Sequence, residues 1–158
     1  MKSKIVFAVL FFFVLINFST SVSQEIQNPK SKIQIHNPWV RVAAQGANTA
    51  LFFVIENTSE KPDTLISAES KIADIVEVHE TYSKGNDIMG MREVKFVEVP
   101  SRSKVEFKPR SLHVMLIDVV KDLRIGDKIH VVLTFKQAGK IKVKAVVQEM
   151  PMMGGMKH

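Results

Sequence analysis

Apolar and polar positions in this chain alternate over short runs, with no stretch of helical period long enough to predict a long helix. In Lys128–Phe135 the apolar Val131, Leu133 and Phe135 are interleaved with Val132 and Thr134, and Lys136 continues the alternation. In Ile141–Gln148 Val143, Ala145 and Val147 alternate with lysines and Val146. Period two sends successive side chains to opposite faces of a strand, so this pair predicts a hairpin with one buried face. Runs rich in valine, isoleucine, phenylalanine and threonine also occur at Ile33–His36, Trp39–Ala43, Ala50–Asn57, Thr64–Glu69, Ile75–Tyr82, Ile88–Phe96, Val105–Phe107 and His113–Val119. That composition favours strands. Between them Asn57–Pro62, Lys84–Asp87, Pro100–Ser103, Arg124–Asp127 and Gln137–Lys140 supply turn residues, so several neighbouring strands form antiparallel hairpins. Ser70–Val76 is the one place where one or two helical turns are expected. The pattern as a whole is that of an all-β sandwich or small barrel.

The N-terminus breaks this pattern. Lys2 and Lys4 precede an unbroken apolar run from Ile5 to Ile16, followed by small polar residues from Ser19 to Ser23. This is the layout of a secretory signal peptide, which assigns residues 1–23 to a leader cut after Ser21 or Ser23 and the mature protein to the periplasm. The apolar run falls short of the roughly 20 residues of a membrane span, so no span is expected after cleavage. Residues 24–32 are polar, contain Pro29 and read as a flexible lead. Residues 33–149 form the expected single domain, within the ~100–200 residues typical of one core, and residues 150–158 a flexible tail.

Charge and cysteine usage then narrow the function. The formal charge of +6 falls to +4 without the leader, which carries two lysines and no acid. The basic residues are scattered rather than clustered with aromatics, which disfavours nucleic acid as a partner. No cysteine is present, which excludes disulfides, thiolate metal sites, a cysteine nucleophile and a lipoprotein anchor on an N-terminal cysteine.

The remaining metal-binding side chains are histidines and methionines. His79 precedes the Lys84–Asp87 turn and Met89 and Met91 follow it, so a hairpin brings them together. His113 and Met115, one residue apart in a strand, point to the same face. If those segments are neighbours, His79, Met91, His113 and Met115 offer two imidazoles and two thioethers. Thioether sulfur is soft and neutral and prefers Cu(I), with silver(I) an acceptable substitute. A blue-copper electron-transfer site needs a cysteine thiolate, which is absent. Plainer readings exist for each residue. A strand methionine such as Met115 is most often core filler, Met89 is read as packing rather than as a substitute ligand, and His36 and His130 are read as surface or satisfied side chains. Met150, Met152, Met153, Met156 and His158 carry the donors of a second, tail-borne copper site, with Cu(II) open to the histidine.

These residues resemble the pattern of the periplasmic copper chaperones called PCu(A)C: a histidine, about ten residues, a methionine, then twenty-one residues before His-x-Met. Eleven residues separate His79 from Met91, and twenty-one separate Met91 from His113, with Met115 completing the pattern. The variable position after the first histidine is often methionine in that family, whereas Glu80 and Thr81 stand here and offer no further ligand of that kind. The resemblance continues through Trp39-Val40-Arg41, the Phe52–Ser59 strand with Glu56-Asn57-Thr58, Pro109 and Leu133-Thr134-Phe135. It implies a cupredoxin-like Greek-key β-sandwich and one Cu(I) in a site of two histidines and two methionines. It further implies delivery to an acceptor such as the CuA centre of cytochrome c oxidase subunit II or a thiol-containing assembly factor. The expected protein is a monomeric carrier rather than an enzyme. Copper storage or detoxification, and a metal-free β-sandwich interaction module, are the competing functions.

Overall fold

A computed structural model describes residues 32–150 of the chain. Ten strands follow one another: β1 (Ile33–Arg41), β2 (Thr49–Asn57), β3 (Asp63–Glu69), β4 (Ala73–Ser83), β5 (Met89–Glu93), β6 (Val97–Val99), β7 (Ser103–Phe107), β8 (Leu112–Val119), β9 (Lys128–Phe135) and β10 (Gly139–Gln148). Among the described residues there is no helix, and so none long and apolar enough to cross a membrane. The hydrogen-bonded order is β5-β4-β8-β7-β2-β1-β10-β9-β3-β6, with β8 also pairing β2. The sheet folds over itself into two layers, and β1 joins them. Its last residues pair antiparallel with β2 (Trp39 with Phe52, Val40 with Leu51) and parallel with β10 (Trp39 with Val146, Val40 with Val147).

One core fills the space between the layers. Leu51, Phe53 and Ile55 of β2, Val114 and Leu116 of β8, and Val131, Leu133 and Phe135 of β9 are all buried in a single cluster, with Phe53 stacked on Phe107 at 4.4 Å between centroids. Each such side chain contributes about 1.5–3 kcal/mol through burial. The expected β9–β10 hairpin forms, with Val131 opposite Val143 and Leu133 opposite Ile141. The architecture is the all-β, cupredoxin-like Greek-key sandwich expected from the resemblance.

Three local expectations need correction. Ser70–Val76 is not helical: a turn at Lys71 and Ile72 leads straight into β4, whose Ala73 already pairs with Val119 of β8. The Ser70 hydroxyl, donating to the carbonyl of His130 at 2.7 Å, holds that turn against β9. Ile33–His36 and Trp39–Ala43 are one strand rather than two. Asn37 takes a φ of 50° and the register to β2 shifts between His36 and Trp39, so the Asn37-Pro38 break is absorbed as a bulge, where proline's missing N–H is tolerated. Ile88–Phe96 is not continuous either. The chain leaves β4 after Glu93 and forms the three-residue β6 beside β3, on the opposite edge of the sheet.

Candidate metal centre

Strands β4 and β8 run antiparallel with His79 directly opposite His113 and Glu77 opposite Met115. The intervening residues face the core: Val78 is 7% exposed, and Val114 and Leu116 are fully buried. Strand alternation therefore places His79, His113, Met115 and Glu77 together on the outer face of the sheet. The imidazole centroids of His79 and His113 are 6.0 Å apart. With metal–imidazole bonds of about 2 Å, one ion can bridge two rings at this separation.

Outer-face aromatics support the pair. Phe52 on β2 is 4% exposed yet stands outside the main core cluster. Its ring lies 6.3 Å from that of His113 and 4.5 Å from that of Trp39. This covering leaves His113 only 4% exposed. Burial pushes the His113 pKa below its ordinary value, opposed by a hydrogen bond to the Ser111 backbone and reinforced by the neighbouring His79. A neutral imidazole is the form that binds a metal.

The hydrogen bonds fix which nitrogen is free on each ring. His113 Nδ1 lies 2.9 Å from the Ser111 carbonyl oxygen, which only accepts, so Nδ1 carries the proton and Nε2 keeps its lone pair. His79 Nε2 lies 2.8 Å from Glu77 Oε2. An ionised carboxylate likewise only accepts, so Nε2 is protonated here, and in the neutral ring Nδ1 keeps the lone pair. That Nδ1 is buried without a hydrogen-bond partner. Among the described residues the only other such side-chain atom is the Thr134 hydroxyl oxygen on β9. A buried orphan of this kind is costly, and a bound cation would satisfy it.

The thioethers are less enclosed. Met115 is half-buried on the outer face rather than in the core, which replaces the core-filler reading. Met91 on β5 pairs with Thr81, two residues beyond His79 on the same face of β4, and is 61% exposed. Met89 pairs with Ser83 one step further out and is 50% exposed, so it is not packed as expected. Met150 is exposed, and Met152, Met153, Met156 and His158 lie outside the described residues. His36 is satisfied by Glu56 at 2.7 Å, and His130 is exposed. Among the described residues no three His, Cys, Asp or Glu side chains gather as a metal site, and the further soft donors near the histidine pair are the thioethers of Met115 and Met91. The residues present fit a soft monovalent ion.

Residues 33–147 match the family described as "Putative lipoprotein LpqE-like". The chain belongs to the LpqE-like family. A relative from Leifsonia xyli subsp. xyli, also named as a lipoprotein, is 30% identical over 118 residues, covering 74% of this chain and 70% of its own length. An uncharacterized Rickettsia prowazekii protein is 28% identical over 128 residues, covering 76% and 68%. Among solved structures, the copper-bound PCuAC domain from PmoF2 superimposes with a TM-score of 0.64 at 26% identity, covering 76% of this chain and 95% of that domain. The LpqE-like chain thus has the PCuAC fold, and the resemblance read from its spacing holds at the level of the domain.

Spacing alone did not single out Glu77, the Ser111 carbonyl, or the Phe52 and Trp39 rings in this LpqE-like site. Glu77 had a usable signal, since it stands two residues before His79 in a strand and must share its face.

Proposed function

We propose that this LpqE-like protein is an exported copper carrier that holds one Cu(I) at His79, His113, Met91 and Met115 and hands it to an acceptor. The observation that carries the reading is the cross-strand histidine pair, with rings 6.0 Å apart and one buried nitrogen without a partner. It is flanked on the same face by Met115 and on the next strand by Met91. The copper-bound state of the PmoF2 domain, at 26% identity, supports copper as the cargo. The lipoprotein description of the family and the leader-like residues 1–23 support export to the periplasm.

Two thioethers and two neutral imidazoles give a site that favours Cu(I) and has no thiolate to retain it. Exchange with a thiol-bearing partner is then downhill, which suits passage to an assembly factor or to the CuA centre of cytochrome c oxidase. Carrying is favoured over catalysis because copper held at this site would take up the free lone pairs of both imidazoles, leaving neither ring as a general base for a substrate.

The test is a Cu(I) titration against a competing chelator, on the mature chain and on a variant with Met152, Met153 and Met156 changed to leucine and His158 to glutamine. One tight equivalent in both forms is the expected result, with any further equivalent lost in the variant and so belonging to the tail. Absence of a tight equivalent in the variant refutes the core site. Transfer of the bound copper to a soluble CuA domain then separates delivery from storage.

A further inference from the structure

Glu77 differs from the other paired carboxylates of the molecule. Glu56, Glu60, Glu69, Glu80 and Glu106 each meet a lysine or arginine. Among the described residues the Glu77 side chain pairs only with His79, at 2.8 Å. The molecule contains an internal control in His36 and Glu56, which make the same contact at 2.7 Å. There the carboxylate is shared with Lys104 at 3.4 Å and the imidazole is 38% exposed. At His79 the side chain is 17% exposed and its second nitrogen is buried without a partner. One is a surface contact whose carboxylate is shared with a lysine; the other holds a ring whose second nitrogen has nothing to bind.

We propose that Glu77 is a positioning residue for copper, holding His79 as the Nε2–H tautomer so that Nδ1 is presented to the ion, and supplying a negative charge beside the bound cation. The inference rests on the carrier reading above. A metal-binding histidine whose other nitrogen donates to a carboxylate is fixed in tautomer and orientation and made more basic. The four ligands are neutral, so Cu(I) keeps its full charge among them; Glu77 offsets that charge at one remove. Its location opposite Met115 puts this charge between two ligand positions without making it a ligand. A further consequence is asymmetry: His79 binds through Nδ1 and His113, held by the Ser111 carbonyl, through Nε2. Both rings are set before copper arrives.

Nitrogen-15 NMR of the mature apo chain reads the tautomers directly, and a Cu(I) competition titration on the same samples reads the affinity. The expected wild-type result is a protonated Nε2 on His79 and a protonated Nδ1 on His113. Glu77→Ala should convert His79 to a tautomer mixture and weaken Cu(I) binding by about 10–100-fold, the usual effect of removing such a partner, with an unchanged amide spectrum elsewhere. Glu77→Gln keeps an acceptor but not the charge, so it should retain the tautomer and lose a smaller part of the affinity. An unchanged tautomer and affinity in Glu77→Ala would overturn the proposal, as would a wild-type His79 protonated on Nδ1 that still binds Cu(I). Failure of the wild type to bind Cu(I) while His79 keeps the Nε2–H form would instead overturn the carrier reading, and with it the role of Glu77 towards copper.

Discussion

The β9–β10 hairpin and the β4–β8 pair are both antiparallel ladders laid on the same core, and they differ in what they do with their outer faces. In the hairpin Val131, Leu133, Phe135, Val143, Ala145 and Val147 face inward, all within 4% of full burial, while Lys140, Lys142 and Lys144 stand in water outside. In the β4–β8 pair Val78, Val114 and Leu116 face inward in the same way. Its outer face, however, carries His79, His113, Met115 and Glu77, and His113 is as buried as a core residue. Lysines on an outer face keep their charges hydrated at little cost. A buried imidazole and an unpartnered nitrogen have no such outlet. Where a strand pair covers both of its faces and the second cover is made of donors, stability alone does not account for the outer face, and the proposed copper site does.

That contrast can be broken most decisively at the histidine pair. His79→Ala should lower Cu(I) affinity by more than the roughly 10–100-fold typical of outer partners, read by chelator competition, with the fold intact because His79 faces away from the core. The next largest effect separates neighbouring residues on opposite faces. Leu116→Ala should cost about 2–5 kcal/mol in chemical denaturation while the folded fraction still binds one Cu(I). Met115→Leu should cost less than about 1.5 kcal/mol, yet weaken copper binding because leucine has no thioether.

Proton linkage gives a smaller effect. His113 titrates below its ordinary value of 6.5 in the folded chain, chiefly through burial, so the unfolded chain takes up this proton first as the pH falls. The resulting contribution to stability is present above about pH 6.5 and is lost as the pH drops toward the folded value. Denaturation of the apo chain across this range should show the decline, and His113→Gln should flatten it. Smallest of all, Lys144→Ala on the hairpin should change stability by no more than about 0.5 kcal/mol and leave copper binding untouched; a loss of affinity there would remove the distinction between the two faces.

Legibility in the sequence follows the same division. β9 and β10 were readable because a clean period of two, bounded by turn residues, leaves one solution. The β4–β5 hairpin was readable from Gly85, Asn86 and Asp87, all of which take positive φ, so the direction from His79 to Met91 followed. β2 was harder: Leu51, Phe52, Phe53, Val54 and Ile55 are all apolar, so no periodicity could show that Phe52 faces out beneath His113. The continuity of β1 through Asn37-Pro38 and the existence of β6 depend on pairing with β2 and β3, which local sequence does not contain. Glu77 was within reach of strand alternation, but a strand carboxylate is ordinarily a solvated one. Only its 2.8 Å contact with His79, free of any lysine or arginine, marks it.

The most direct test is X-ray absorption at the copper edge of the mature chain carrying the tail changes above (Met152, Met153 and Met156 to leucine, His158 to glutamine) and loaded with one equivalent of Cu(I), alongside the same protein with Met91→Leu and Met115→Leu added. The account predicts mixed nitrogen and sulfur donors while Met91 and Met115 are present and loss of the sulfur shell when both are replaced. A spectrum with no sulfur donor in the first protein, or a sulfur shell that survives removal of both thioethers, would contradict a site built on the outer face of β4, β5 and β8.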